Sequence, residues 1–588
     1  MAELGRAIRL QQDRQGDVLI LSLADGGAGS GISAVDLDLM TQALTAAARD
    51  SSLRGVILAL QGGQGLNPAL ATALGAVCLQ VEGLGKPVVA CLEGVIGGAV
   101  WALALAAHHR FAGAGVQIGM PEARFGLLPA AGTSQRLPRL IGAAETIRLM
   151  LGTRPEPAAQ FLAMGALDRV VDGDLLTEAL TAMEAGLPPR RTRDVQMGLR
   201  DAKRYLTEVR AFADRVTGDP LDVSRAVVKA VEAALLLPFA AGLAFEAALA
   251  EDLARAPETR AVRHALTVER AARAHLRAVA AKAPSAGALG CLGFWQVGAE
   301  RAEVVLAALT RGLTVVVADP QRADLVALLN RVAALQETLV AQEALTPEAR
   351  DADWARLETA EAEAALGRCD LVLAGQALGG HRGPVVWLQD SPPAGVRLLP
   401  AAAAGGHAEI GVPEGVLEWA TGAAVALGLD LARLLGWRVQ VVGAGFVAPQ
   451  LRRAQRALVA RLAEIGHKGP IITAGLASVG LGAVQVGARK VAQGEAYDIG
   501  QMALAALANE GARLLEEGQV QTPDEVDAAA LSSGLLPRWM GGPMYQADLR
   551  GLILIRADLA RLGGQGRLGA SALFDRMIED GTRFYPEG

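Results

Sequence analysis

The stretch Lys86–Gly142 reads KPVVACLEGVIGGAVWALALAAHHRFAGAGVQIGMPEARFGLLPAAGTSQRLPRLIG. Pro87-Val88-Val89-Ala90 is a short apolar run that predicts a buried strand. Glu93-Gly94 turns the chain, and Gly97-Gly98 opens an Ala/Leu helix. Met120-Pro121-Glu122-Ala123, Gly126-Leu127-Leu128-Pro129 and Gln135-Arg136-Leu137-Pro138-Arg139 follow. Glycines just ahead of a helix let a ligand approach the backbone, where unpaired N–H groups point at developing negative charge. Glu122 is one carboxylate in an apolar surround, which raises a carboxyl pKa toward the range suited to proton transfer. The plainer alternative is that Glu122 caps a turn or pairs with Arg124 or Arg136.

The order strand, glycines, helix, Pro-Glu resembles the crotonase (enoyl-CoA hydratase/isomerase) superfamily, without a gap across the stretch. The resemblance implies a ββα spiral, an acyl-CoA thioester as ligand and an oxyanion hole of two backbone N–H groups. It also implies two glutamates for hydration, one per proton move. Counted from Lys86, the first glutamate position falls on Ala102 and the second on Glu122. Ala99, next to Gly98, takes one oxyanion-hole position and keeps its N–H. The other donor belongs to the loop Gln61–Pro68, where the alignment puts Pro68, a residue with no N–H to offer. Alanine at 102 cannot hold a water or move a proton, so hydration is not expected. Isomerisation needs a single carboxylate to carry a proton from C2 to C4 of an enoyl thioester, and Glu122 suits that task.

Outward from this stretch, residues 18–23 and 56–60 read as strands and 34–49 as an amphipathic helix. At 588 residues the chain holds about four domains of ordinary size. Its hydrophobic and charged fractions are those of a folded protein, and a net charge of -6 argues against a nucleic-acid groove. Cys78, Cys91, Cys291 and Cys369 lie far apart, without metal or disulfide spacing, which suggests a reducing compartment. No apolar run approaches about 20 residues, so no membrane span is expected. No signal-type stretch or peroxisomal tripeptide is recognised, so the expected location is the cytoplasm.

Residues 185–285 read as helical. Within them Ala233–Phe239, Gly242-Leu243, Glu246 and Arg263-His264-Ala265 resemble the linker helix of multifunctional β-oxidation proteins, which joins a crotonase domain to a 3-hydroxyacyl-CoA dehydrogenase. His264 is expected to be a structural helix residue. From Gly290 the pattern is βαβ: strand Cys291–Trp295, helix 299–310, strand Thr314–Ala318, then Asp319 where the dehydrogenase resemblance places an acid on a ribose hydroxyl. The three glycine-fingerprint positions fall on Gln296, Gly298 and Arg301, so a Rossmann-like fold without NAD is favoured over one that binds it. Ala374 replaces an acid, Ser391 alone remains of an Asn-Thr-Ser, and Val396–Ala404 holds no catalytic histidine. Glu409 stands where the orienting acid would be, and His407, two residues before it and far from the family's histidine position, reads as a surface-loop histidine. Gly445-Phe446-Val447 opens a C-terminal helical region with Pro449-Gln450 in place of Asn-Arg, and the last helical repeat (Asn509 to Asp548) is intact.

The expected architecture is α/β. It has a crotonase spiral over 1–185, a helical linker over 186–285, a shortened Rossmann-like dehydrogenase domain over 286–440 and a helical dehydrogenase-type domain over 441–588. The expected site is Glu122 as proton carrier, Gly98 and Ala99 at the thioester oxygen, and Gly298 and Asp319 as the cofactor positions, without metal. The expected function is acyl-CoA handling in fatty-acid β-oxidation, with hydratase and dehydrogenase chemistry lost and isomerase activity retained. The alternatives are a non-catalytic acyl-CoA-binding scaffold, with a thiolase-like or other subunit as partner, and a working hydratase/dehydrogenase.

Overall fold

A computed structural model of the chain describes residues 10–23, 32–62, 68–129, 131–152, 154–217, 221–282, 287–388, 396–400, 407–411, 419–436, 438–442, 446–481, 493–563 and 566–585. These residues fall into two compact units that divide between Arg263 and His264.

The first unit contains, in chain order, strands β1 (Leu10–Gln15), β2 (Val18–Leu23), β3 (Gly55–Gln61), β4 (Val88–Glu93), β5 (Val95–Gly97), β6 (His109–Gly113), β7 (Gln117–Gly119), β8 (Glu156–Pro157) and β9 (Arg169–Val171). Its main sheet runs β1-β2-β3-β4-β6-β9, and β5-β7-β8 form a small second sheet. Only the β1–β2 pairing of the main sheet is antiparallel. The runs in β3 and β4 are apolar at nearly every position because both faces of the sheet are covered. Strand, strand and helix recur in that order, as β1-β2-(Ala34–Arg49) and β4-β5-(Gly98–Ala106), so the spiral order expected from the sequence is present. All nine residues of Gly98–Ala106 are buried, with Trp101 set edge-on to Phe161 at 5.3 Å between ring centres.

Helices from the region read as a linker complete this unit. The Tyr205 hydroxyl on helix Ala202–Val216 donates to the Val231 carbonyl on helix Asp222–Leu236 at 2.6 Å. Gln135 donates to the Ala230 carbonyl at 2.8 Å. Helix Phe239–Arg255 comes closest: a Cβ on Gly242 would lie 2.2 Å from the Gln135 side-chain oxygen.

In the second unit the strands are β10 (Cys291–Trp295), β11 (Thr314–Ala318), β12 (Leu357–Ala360), β13 (Leu371–Ala374), β14 (Val385–Trp387), β15 (Val396–Pro400), β16 (His407–Gly411) and β17 (Arg438–Val442). They form one sheet in the order β12-β11-β10-β13-β14-β15-β16-β17. All pairings are parallel except β15–β16, and the strand order reverses at β10, as in doubly wound folds. The shortening read from the sequence lies in a connection: 375–384, between β13 and β14, carries no helix. Ser391 and 401–404 lie outside the described residues.

Glu409, the expected orienting acid, lies on β16. It is buried, and its two oxygens accept the Val447 and Ala448 N–H groups at 2.8 Å each, capping helix Val447–Glu464 where those amides have no intrahelical acceptor. Glu409→Ala is expected to cost about 1–3 kcal/mol in the second unit, read as a lower urea midpoint of its unfolding.

The C-terminal helices pack around Glu495–Glu516, which is buried along most of its length. His264 is structural, as expected. It lies on helix Pro257–Lys282, and its Nε2–H donates to the fully buried Asp527 at 3.0 Å, between the rings of Tyr545 and Tyr585.

Candidate active site

Glu122 sits on a short 3-10 helix, Pro121–Phe125, whose first turn the proline preorganises. Gly126 ends it at φ 70°, a left-handed conformation that favours glycine. A Cβ there would also press to 2.8 Å on the Thr259 hydroxyl, which itself donates to the Gly126 carbonyl at 3.1 Å. This pins the backbone just beyond the carboxylate. Glu122 is 3% exposed, and its Oε2 is buried with no hydrogen-bond partner among the described residues. Burial pushes its pKa up to about 7. Arg136 does not pair with it, because that guanidinium goes to Glu82 at 2.9 Å.

Glu122 lines a cavity of about 700 Å³. Leu79, Leu127 and Leu128 give it apolar walls, and Ala244, Ala247 and Ala250 of helix Phe239–Arg255 form a smooth further wall. Such a mostly apolar, preformed cleft with few polar groups suits a small-molecule ligand. A second carboxylate, Glu246, also lines it, but its oxygens are taken by the Gly132 N–H at 2.6 Å and the Ser134 N–H at 2.9 Å. The sequence had suggested only a connector here. The signal for a wall was the run of alanines with one glutamate among them, Ala240 to Ala250.

Gly98 and Ala99 lie in the first turn of helix Gly98–Ala106, where backbone N–H groups lack an intrahelical acceptor. They are buried and are not among the residues lining the cavity. Ala102 sits on the same helix, which carries no acid at all. Pro68 begins a 3-10 turn, Pro68–Leu70, while 63–67 of the same loop lie outside the described residues.

A buried ion network lies behind the cavity wall. Glu82 receives Arg136 at 2.9 Å, the Arg193 side chain at 3.0 Å and the Arg193 N–H at 2.8 Å. The Phe239 ring lies under the guanidinium groups of Arg136, Arg139 and Arg193 at 5.1–5.3 Å.

In the second unit, the fingerprint positions Gln296 and Gly298 follow β10. Gln296 takes a left-handed φ of 44°, and the Glu300 carboxylate folds over Gly298, so that a Cβ on Gly298 would stand 2.1 Å from it. That places negative charge where a pyrophosphate would need to approach the backbone. Asp319 is 6% exposed, and its Oδ1 accepts the Gln321 N–H at 2.8 Å at the start of the following helix.

Residues 69–217 match the family model for enoyl-CoA hydratase/isomerase. The chain contains a crotonase domain. Over 205 residues it is 34% identical to the peroxisomal bifunctional enzyme of Pongo abelii, covering 34% of this chain and 28% of that protein. Over 119 residues it is 41% identical to the fatty acid oxidation complex subunit alpha of Shewanella amazonensis, covering 20% of this chain and 17% of that one. The chain therefore spans less than a third of the length of these curated relatives. Among solved structures, an enoyl-CoA hydratase from Bacillus anthracis is 26% identical, covering 36% of this chain and 93% of that chain, with a TM-score of 0.29. The crotonase domain is thus similar to its counterparts in multifunctional fatty-acid β-oxidation proteins, and it is the part of the chain that contains Glu122. No described helix is long and apolar enough to cross a membrane.

Proposed function

We propose that the crotonase domain binds an acyl-CoA thioester in the Glu122 cavity and isomerises the double bond of a 3-enoyl-CoA. The observation that carries this reading is a buried carboxylate, one oxygen of which has no partner among the described residues, lining a mostly apolar cavity of about 700 Å³, where burial pushes its pKa up. Glu122 as carboxylate removes a proton from C2. The electron pair moves the double bond to C2–C3, and the same carboxyl returns the proton to C4. The family resemblance assigns the thioester oxygen to the N–H groups of Gly98 and Ala99 at a helix N-terminus, although neither residue is among those lining the cavity. Hydration is disfavoured because the helix that would supply the second acid has alanine at 102. The test is a 3-enoyl-CoA supplied to the whole chain, with the 2-enoyl product followed by its ultraviolet absorbance. No conversion at any pH between 6 and 9 would defeat the proposal.

The folding of Glu300 over Gly298 favours a second reading for the other unit: a scaffold without NAD-dependent chemistry, docking a thiolase-like or other subunit. Titration with NAD is then expected to give no saturable heat up to about 1 mM, against micromolar affinity for an acyl-CoA. NADH formed from a 3-hydroxyacyl-CoA would instead restore Gly298 and Asp319 as cofactor positions and the full hydratase/dehydrogenase reading. The cytoplasm is the location proposed, on the wide spacing of the four cysteines in the sequence, although the fold brings the Cys291 and Cys369 sulfurs to 3.6 Å. Cell fractionation with the native protein tests it.

A further inference from the structure

The helix Phe239–Arg255 does more than wall the cavity. Its one buried carboxylate, Glu246, reaches across to the turn that opens helix Thr133–Ile141. Oε1 accepts the Gly132 N–H at 2.6 Å, and Oε2 accepts both the Ser134 N–H at 2.9 Å and the Ser134 hydroxyl at 2.5 Å. Those amides belong to a helix N-terminus with no intrahelical acceptor, and a negative charge there also meets the positive end of the helix dipole.

The turn needs holding. Gly132 takes φ 84°, and Ala131 takes φ 58°, an unfavourable conformation for a residue with a Cβ. On its other side the Ala131 carbonyl accepts from Arg136 at 3.0 Å. Ala131 and Gly132 line the same cavity as Leu127, Leu128 and Glu122. The segment from the proton carrier to the helix start is therefore anchored at Gly126 by Thr259 and at Gly132–Ser134 by Glu246.

We propose that Glu246 is a positioning residue for the acyl-CoA site: it latches the strained Ala131–Ser134 turn and so fixes the wall against which Glu122 and the acyl chain are set. Helix Phe239–Arg255 is then part of the ligand site rather than a connector. This rests on the acyl-CoA reading above, and the test separates the two.

The experiment compares Glu246→Gln, Glu246→Ala and Ser134→Ala in the full chain. It reads amide hydrogen exchange at Gly132 and Ser134, affinity for decanoyl-CoA and, with a 3-enoyl-CoA as substrate, kcat and KM separately. With Glu246→Ala, exchange at both amides is expected to quicken tenfold or more, and decanoyl-CoA to bind about tenfold more weakly. Glu246→Gln keeps an acceptor oxygen and recovers part of both, and Ser134→Ala, which removes the hydroxyl bond to Glu246 but keeps both amide bonds, falls between Glu246→Gln and the parent. Unchanged exchange at Gly132 and Ser134 in a folded Glu246→Ala would overturn the latch. So would quickened exchange with unaltered binding and an unaltered KM. If the parent chain itself binds no decanoyl-CoA, the acyl-CoA reading falls with its positioning role, while exchange still decides whether the latch exists.

Discussion

Glu122→Gln is expected to lower isomerase turnover by a factor of about 10²–10⁴ and, above pH 7, to make the protein more stable than its parent. The first effect follows because glutamine has the shape of the carboxyl but accepts no proton from C2. Turnover of the parent should rise through a midpoint near 7 as Glu122 ionises, then level off. The second effect follows from linkage. The folded-state pKa is raised, so between the ordinary 4.5 and about 7 the native state binds a proton that the unfolded state has released. Stability from this group is complete below 4.5 and is lost as pH climbs through 7. The move from 4.5 to about 7 corresponds to roughly 3 kcal/mol, an upper figure for a carboxylate held dry. Urea unfolding of parent and variant at pH 5 and pH 8.5 checks it: the midpoints should converge at the lower pH and separate at the higher. Equal midpoints at both would mean that Glu122 is solvated and no longer suited to its proposed task.

Glu82→Leu should cost about 3–5 kcal/mol, the largest stability loss expected of any single change in the first unit. Glu82 and Arg136 are 0% and 1% exposed, so removing the acid leaves a guanidinium in the interior without its counter-charge. The Arg193 N–H and side chain lose their acceptor as well. Arg136 also lines the cavity, so the loss should carry over to ligand binding. The double variant Glu82→Leu/Arg136→Met should recover a large part of the stability, because paired removal leaves neither charge stranded. Thermal unfolding of the three proteins decides this. A double variant no better than the single would assign the cost to lost shape rather than to unpaired charge.

Much of this was legible in the sequence where signals are local. The apolar runs at 18–23, 56–60, 291–295 and 314–318 are strands because each is short and apolar, with β-branched, leucine or aromatic residues, and too short for a buried helix. Glu122 stood out for the same reason: a lone acid in apolar company is buried, and burial sets its pKa. What the sequence hides depends on distance along the chain. Glu246 meets Gly132 and Ser134 more than 110 residues away, and an alanine-rich helix looks alike whether it faces solvent or a ligand. Glu409 reads as a catalytic partner by alignment, and what alignment does not announce is that its two oxygens accept amides at the N-terminus of a helix that begins 38 residues later. The setting of Gly298 is equally hidden. Its backbone is open in sequence, but the carboxylate two residues on covers it.

The alanine wall that helix Phe239–Arg255 gives the cavity bears on how the protein can be divided. A fragment cut at residue 185 would lose Ala244, Ala247, Ala250 and Glu246 together, leaving Leu79, Leu127 and Leu128 as an oily floor open to water and the Ala131–Gly132 turn untied. Such a piece should clump and refuse ligand even with Glu122 in place. The smallest autonomous form of this half of the molecule therefore runs at least to Arg255.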